Sequence, residues 1–256
     1  MTLGAFEFPP VSHLFEWPAF LLEDSELFAV NKTVVLMWAA VAITAILFLT
    51  AARKFQQVPT KNQSLVESTI DFVDKGIVQE AIGPEGRPWV PFLTSLFMFV
   101  FILNIFEVIP GINFPPTSRF AIPLFLALQT WVIFLFVGLK QQGLRYFAGV
   151  LFPPGVPKAL YVLITPIELV SVFIVRPFSL AVRLFANLFA GHLLLTVFFL
   201  LTASVWALNL SAVILPITFA GAVALTGFEI LVSLLQAYIF TILTAVYIGD
   251  SMHPHH

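Results

Sequence analysis

Long apolar runs separated by short polar segments divide this chain of 256 residues. Three of the runs have about 20 residues each, the length of a helix that crosses the roughly 30 Å hydrocarbon core of a bilayer. These predicted spanning helices are residues 33–52, 89–109 and 120–139. Two further runs, 159–208 and 212–248, are longer than an upright span needs. The pattern therefore predicts an all-α polytopic membrane protein.

Each of the two long runs either breaks into two spans or forms one long, strongly tilted helix. A break in the first run would need turn residues, and none lies between Ser179 and Ala190. Pro177 can kink a helix or begin one, but it does not reverse the chain. The Asn-Leu-Ser segment at 209–211 is a better turn. We therefore expect a C-terminal hairpin of two long tilted membrane helices.

The polar segment after the first span contains a different kind of element at residues 64–82. Apolar residues recur there with helical spacing and acidic residues lie between them, which predicts an amphipathic helix in the membrane interface. The Ser-x-x-Glu spacing of Ser64 and Glu67 predicts a capping box at its start. Residues 1–32, which include three prolines and an acidic cluster, are expected to be an extramembrane arm. Residues 33–256 then form a single membrane domain.

Composition and charge support a membrane protein and set its orientation. Apolar residues make up 59% of the chain and charged residues 10%, against roughly 25% in soluble domains. No basic patch indicates nucleic acid, and the absence of cysteine excludes disulfides and thiolate metal sites. Lysine and arginine concentrate in the loops after the first and third spans, so these loops are expected in the cytoplasm. The N-terminus is then outside and the C-terminus inside a bacterial plasma membrane, and no cleaved signal peptide is predicted.

Polar side chains inside the long runs are the candidate functional residues. The first run carries a set near one helix face, followed by a histidine: Arg176, Ser179, Arg183, Asn187, Gly191 and His192. The second run carries a set on one face: Glu229, Ser233 and Gln236. Two antiparallel helices with these faces opposed would form a buried polar seam. Asn104 and Glu107 add polar groups near the end of the second span, where they also fit a simple helix end.

An arginine at bilayer depth costs several kcal/mol and marks a pathway for ions, protons or substrate. Arg183 keeps its proton, so it cannot relay one, but its fixed charge favours ionisation of a nearby carboxylic acid and blocks direct proton flow between aqueous pockets. His192 and Glu229 can exchange protons near neutral pH. The simpler interpretations are that the arginines snorkel to the interface, and that the other polar residues only hold helices together.

Three motifs resemble subunit a of F-type ATP synthases, the ion-channel stator subunit. They are Pro177-x-Ser179-Leu180-x-x-Arg183-Leu184-Phe185-Ala186-Asn187-x-x-Ala190-Gly191-His192, Phe228-Glu229-x-Leu231-Val232-x-Leu234-Leu235-Gln236-Ala237-Tyr238-Ile239-Phe240, and Asn104-x-x-Glu107-x-x-Pro110. The resemblance covers nearly the whole chain from Thr33 to Tyr247. In some bacterial relatives the residue after the signature glycine is acidic and its partner is histidine, whereas here they are exchanged as His192 and Glu229. The spacing from Glu168 to Pro177 is also about one residue longer than usual.

The resemblance implies a part of a rotary motor. The hairpin would lie against a ring of c subunits, each with one carboxylic acid at mid-membrane. Protons would enter one half-channel, neutralise a ring carboxylate, travel nearly a full turn and leave by a second half-channel. Arg183 would face the ring, separate the half-channels and force each passing site to deprotonate. Residues that match the outer half-channel are Asn187, His192, Glu229 and Gln236, and Glu168 matches the inner one.

The resemblance also implies the partners of the chain, namely the c ring, a b-type peripheral stalk subunit, other ATP synthase subunits and membrane lipid. No Gly-x-x-x-x-Gly-Lys-Ser/Thr loop occurs. We therefore expect no catalytic site, cofactor or metal in the chain itself, which would be one subunit of a proton-translocating ATP synthase. The ring largely sets the choice between H⁺ and Na⁺. The competing hypotheses are a secondary transporter with a midplane polar site, against which the lack of similar halves counts, and a purely structural membrane subunit.

Overall fold

Five helices dominate the computed structural model, which describes residues 30–53, 60–152, 157, 160–207 and 214–252. By length and composition these five are able to cross a membrane. The predicted fold class, an all-α multi-pass membrane protein, is confirmed at this level. Nearly all of the predicted N-terminal arm, and the turn predicted at 209–211, lie outside the described residues.

The helices follow one another with these bounds: α1 Lys32–Arg53, α2 Lys61–Val73, α3 Val90–Ile105, α4 Ala121–Gln142, α5 Arg145–Leu151, α6 Tyr161–Val170, α7 Arg176–Ala207 and α8 Ile214–Met252. A π turn, Asp74–Val78, and one further turn, Gln79–Ala81, extend α2. Short 3₁₀ turns at Pro84–Trp89 and Pro116–Ser118 precede α3 and α4. A second π turn, Ser171–Val175, joins α6 to α7.

The first long run is helical from Tyr161 to Ala207. Pro177 neither ends this helix nor reverses the chain, which agrees with the expectation of one long helix over the run. A π turn, the form in which a helix absorbs a single added residue, lies between Glu168 and Pro177, where the resemblance predicts about one extra residue. The tilt of the helix in a bilayer stays a prediction.

The start of α2 differs from the prediction, because the capping box assigned to Ser64 is wrong. The N-cap is Thr60, whose hydroxyl accepts the Gln63 backbone N–H at 3.4 Å. The Gln63 side chain donates in turn to the Glu67 carboxylate at 2.8 Å. Thr-x-x-Gln satisfies the same capping pattern four residues earlier, so the helix begins at Lys61 rather than at residue 64. Its position in the membrane interface stays a prediction.

Two other helices end at residues that differ from the prediction, and polar residues lie at both of these ends. Helix α3 ends at Ile105, and Glu107 follows in a turn whose N–H donates to the Asn104 carbonyl at 3.1 Å. Helix α8 continues to Met252, four residues past the predicted end. The extension places Asp250 and a neighbouring serine on its last turn.

The core lies where α7 and α8 pack along each other and against α3 and α4. On α7 the buried face follows the four-residue spacing of Leu180, Leu184 and Leu188, each at most 1% exposed. Lipid tails are as apolar as these side chains, so close packing rather than exclusion of water holds the helices together. The end of α8 approaches the backbone after α2 closely, since a Cβ at Gly249 would lie 2.7 Å from the Ala81 carbonyl oxygen.

Candidate functional site

Six of the predicted polar residues are buried inside the protein rather than spread over its surface. Three helical regions contribute them: Asn104 and Glu107 from the end of α3, His192 from α7, and Glu229, Ser233 and Gln236 from α8. Burial of so many polar groups in an apolar core is costly unless they are paired or hydrated. We call this group the His192 cluster.

His192 lies at the centre of several charged and aromatic neighbours. Its Nδ1 atom is 4.0 Å from Oε1 of Glu107. The Phe114 ring packs edge-on against the imidazole, with 5.9 Å between ring centres. The Lys32 ammonium is 5.7 Å from the centre of that same phenyl ring and donates to the Ile112 carbonyl at 2.7 Å. Lys32 and His192 therefore pack against the same phenyl ring.

Glu107 is a buried carboxyl group of this cluster with few polar contacts. It is 2% exposed, and neither of its carboxylate oxygens has a hydrogen-bond partner among the described residues. The Asn104 side-chain oxygen accepts a hydrogen bond from the Thr117 hydroxyl at 2.8 Å. Its amide nitrogen has no partner among the same described residues. Glu229 is close enough to Glu107 for two ionised carboxylates to repel each other. A buried carboxyl group of this kind is a candidate functional group.

Glu229 packs directly on the backbone of Gly191. A Cβ added at Gly191 would stand 2.6 Å from both carboxylate oxygens of Glu229, so a glycine is required for this approach. The predicted proximity of Glu229 to the Gly191–His192 segment is therefore present. The sequence paired His192 with Glu229 alone, whereas the structure adds Glu107 beside His192.

The predicted arginine face divides into an exposed part and a buried part. Arg183 and Asn187 are exposed, whereas Gly191 and His192 are buried. Each four-residue step turns about 40° around the helix, so the face drifts from the surface into the core. The prediction that Arg183 belongs to a buried seam is therefore wrong, because Arg183 lies on the outer surface of the hairpin.

Arg183 and Asn187 lie on a largely apolar surface of the hairpin, and exposed small residues lie farther along it, on the part of α8 that packs beside residues 191–198 of α7. On α7 an exposed stripe, which we call the arginine stripe, consists of Arg183, Asn187, Ala190 and Leu194, with half-buried Ser179 at its start. On α8 the exposed small residues are Ala220, Ala224 and Gly227. A Cβ at Gly227 would meet nothing within 4 Å, whereas one at Gly221 would lie 3.0 Å from the Phe198 ring. Gly221 thus serves packing within the hairpin, and Gly227 is open to another helix.

A second polar group lies at the N-terminal end of α7, and we call it the Arg176 cluster. Its members are Tyr146, Arg176, Tyr247, Asp250 and Ser251. The Arg176 guanidinium is 3.8 Å from Asp250 Oδ2 and 5.2 Å from the centre of the Tyr247 ring. The Tyr146 and Ser251 hydroxyls are 3.1 Å apart, and burial raises the pKa of Tyr146. Glu168 lies half-buried on α6, before the π turn.

Arg183 lies between the two clusters along the axis of α7. It is seven residues after Arg176 and nine before His192, or about 10 Å and about 14 Å at the helical rise. The arrangement is one fixed positive charge on the surface, with a group of titratable side chains on either side of it.

Comparison with known proteins identifies the family. The family model described as "ATP synthase A chain" matches residues 34–249. The chain belongs to the ATP synthase A chain family. Among similar proteins, the ATP synthase subunit a of Frankia alni is 42% identical over 234 residues, which cover 88% of this chain and 79% of the relative. That of Rhodococcus erythropolis is 37% identical, covering 98% and 93%, and that of a Methylobacterium species is 40% identical, covering 89% of each.

In this member of the ATP synthase A chain family, several residues of the two clusters were not predicted from the sequence. Asp250 and Ser251 follow the predicted end of the last run, and only the uninterrupted helical periodicity beyond that end could have indicated them. From the sequence, Lys32 is only one of the loop charges that set the orientation. In the structure, its long-range contact with Phe114 places it beside His192. Thr117 lies in a proline-rich turn and gave no signal, because its role comes from a contact with Asn104 across 13 residues.

Proposed function

We propose that this chain is the stator channel of a rotary F-type ATP synthase, and that it carries protons across a bacterial plasma membrane to and from a ring of c subunits. The observation that carries the proposal is the exposure of Arg183 on an apolar surface of a membrane hairpin. Such a charge facing lipid tails would cost several kcal/mol. A partner that covers the arginine stripe and presents a carboxylic acid removes this cost. Membership of the ATP synthase A chain family supports the same partner.

The ring of c subunits fits the exposed surface of the hairpin, because α8 carries exposed small residues. Ala220, Ala224 and Gly227 allow the backbone of a passing helix to come close to α8. Each ring carboxylic acid that reaches Arg183 meets a fixed positive charge, which favours its ionised form. The proton is therefore released before the site passes Arg183. Because arginine does not give up its own proton, it also separates the proton paths on its two sides.

The His192 cluster serves as the outer proton path in this proposal. Glu107, His192 and Glu229 are three groups that can hold a proton, and two of them have carboxylate oxygens without partners in the described chain. The 4.0 Å between His192 and Glu107 is too long for a direct hydrogen bond, and a bridging water is the usual link at such a distance. Ser233 and Gln236 continue the buried polar face of α8, and Asn187 continues the path on the surface of α7.

The Arg176 cluster and Glu168 form the inner path. Arg176 is held by Asp250 and by the Tyr247 ring, so it is a fixed charge rather than one that snorkels freely. Glu168 is a half-buried carboxylate on the same continuous helix. Arg176 and His192 lie about 24 Å apart along α7, with Arg183 between them, so the two proposed paths reach the helix on opposite sides of the fixed charge.

The orientation follows from the charge distribution of the loops, and the remaining partners follow from membership of the family. The N-terminus is outside and the C-terminus is cytoplasmic. A b-type stalk subunit and further ATP synthase subunits complete the assembly, and the nucleotide chemistry belongs to those other subunits.

ATP-driven proton pumping in inverted membrane vesicles tests the proposal. Arg183→Ala is expected to abolish pumping while the ring still co-purifies with the chain. Arg145→Ala is the matched control, because Arg145 is an exposed arginine outside the predicted spans. Normal pumping by an assembled Arg183→Ala complex would refute the stator-channel function. Solute uptake by the chain alone in liposomes would favour a secondary transporter instead.

A further inference from the structure

The π turn before Arg176 leaves one backbone carbonyl without a partner in its own helix. The Arg176 N–H, which would serve Val172 in an α-helix, donates instead to the Ser171 carbonyl five residues back. The next residue, Pro177, has no N–H to offer. The Val172 carbonyl therefore receives a hydrogen bond from neither residue, although Val172 is only 1% exposed. An unpaired buried carbonyl of this kind is costly.

A tryptophan on α4 supplies the missing donor. The Trp131 indole N–H donates to the Val172 carbonyl oxygen at 3.1 Å. The indole ring also packs edge-on against Phe173, with 6.0 Å between ring centres, and Phe173 stacks on Phe147 of α5 at 6.2 Å. Two neighbouring helices thus hold the π turn at a carbonyl and at a side chain.

The π turn changes which side chains share a face of the continuous helix. Glu168 and Arg176 are eight residues apart, which would place them about 80° apart around an uninterrupted α-helix. A π turn absorbs one residue without the usual rotation of about 100°, which brings the two side chains to within about 20° of each other. Both are half-buried, as expected if they follow the same edge of the helix.

We propose that Trp131 is a positioning residue for the inner proton path. Its indole N–H stabilises the π turn, and the π turn keeps Glu168 in line with Arg176 and the arginine stripe. The inference rests on the proposed function, since Glu168 matters here as part of the inner path. Trp131 acts through Glu168 and does not itself carry a proton.

The test removes the N–H and keeps the ring. Trp131 is replaced by 3-benzothienylalanine, in which sulfur stands in place of the indole nitrogen, and ATP-driven pumping is measured in assembled complexes. Pumping is expected to fall by about two- to tenfold, the range for the loss of one hydrogen bond. The same replacement at Trp38, which is 60% exposed on α1, is the matched control and should leave pumping unchanged.

A double-mutant cycle with Glu168→Gln separates positioning from general damage. If Trp131 acts through Glu168, the sulfur analogue lowers pumping in the parent chain and has no further effect beside Glu168→Gln. Equal fold-losses in both backgrounds, or no loss in the parent chain, would overturn the inference. If Glu168→Gln alone abolishes pumping, the cycle cannot be evaluated. The rate at which maleimide labels Glu168→Cys is then measured with and without the Trp131 analogue. The analogue should change that rate and leave the rate at Leu144→Cys unchanged, and an unchanged rate at both would overturn the inference.

The two proposals fail in different ways in the same vesicles. Normal pumping by Arg183→Ala would remove the stator function and this inference with it. Loss of pumping in Arg183→Ala, together with normal pumping by the Trp131 analogue, would remove this inference alone.

Discussion

Replacement of Gly191 with alanine is expected to disturb the His192 cluster without changing any charge. The new Cβ would stand 2.6 Å from both carboxylate oxygens of Glu229 and 2.7 Å from the carbon between them. Ordinary van der Waals contact begins at 3.4 Å, so the carboxylate must retreat by about 0.8 Å. Glu229 is 2% exposed, which means that the retreat takes place inside a packed interior.

The size of the effect follows from the cost of one methyl group too many. Overpacking of a buried site costs roughly 1–3 kcal/mol. If all of this strain falls on the step in which Glu229 exchanges a proton, pumping slows by about five- to 150-fold. Any part of the strain that the resting state shares lowers the thermal stability of the complex instead, so both quantities are measured.

The assay is ATP-driven proton pumping in inverted vesicles, normalised to the amount of assembled complex. Gly149→Ala is the matched control, because a Cβ at Gly149 meets nothing within 4 Å, and it should pump at the wild-type rate. Glu229→Asp shortens the side chain by one carbon–carbon bond, about 1.5 Å, which exceeds the required retreat. It should therefore restore part of the pumping in the Gly191→Ala background.

Two results would refute this reasoning. Pumping by Gly191→Ala at the wild-type rate, with assembly unchanged, would show that the position of Glu229 does not matter for proton flow. An equal loss in Gly191→Ala and in the double variant with Glu229→Asp would show that the clash with the carboxylate is not the cause.

Three further predictions concern the two clusters and the arginine stripe. Glu107→Gln should lower pumping by about tenfold or more while leaving thermal stability unchanged or higher, because it replaces a buried carboxyl group that lacks partners in the described chain. In this cysteine-free chain, Asn187→Cys should form a disulfide with a cysteine placed on the ring helices, and Leu188→Cys, which is buried, should not. Tyr146→Phe removes the hydrogen bond to Ser251 and should lower the free energy of unfolding by about 1 kcal/mol, seen as a lower melting temperature.

Each of these has a contradicting outcome. Normal pumping by Glu107→Gln would exclude that carboxyl group from the proton path. Disulfide formation at Leu188→Cys with none at Asn187→Cys would place the ring on a different face of α7. An unchanged melting temperature in Tyr146→Phe would mean that its hydroxyl contributes no net stability.

Hydrophobic length alone was enough to predict the five membrane helices, because a bilayer requires about 20 apolar residues per span. The polar residues were also found from the sequence, since a charge or amide inside an apolar run is rare. Helical periodicity correctly put Glu229, Ser233 and Gln236 on one face, and all three are buried.

Residue spacing alone could not predict whether each side chain points into the core or to the surface. Gly191 and Arg183 share an approximate helix face, yet a drift of about 40° per step puts one inside and the other outside. The contact between His192 and Glu107 joins residues 85 positions apart, and no local pattern encodes it. The π turn is similar, because its cause is partly local, at Pro177, and partly the indole of Trp131 on another helix.

Passive proton flux through the assembled complex tests most directly whether Arg183 separates two proton paths. An imposed proton gradient drives the flux in vesicles without ATP, and Arg183→Ala is compared with the wild-type chain and with Arg145→Ala. We predict that Arg183→Ala raises the passive flux while it abolishes ATP-driven pumping, because the fixed charge that blocks direct flow is gone. Passive flux at or below the wild-type level in the intact Arg183→Ala complex would contradict this prediction.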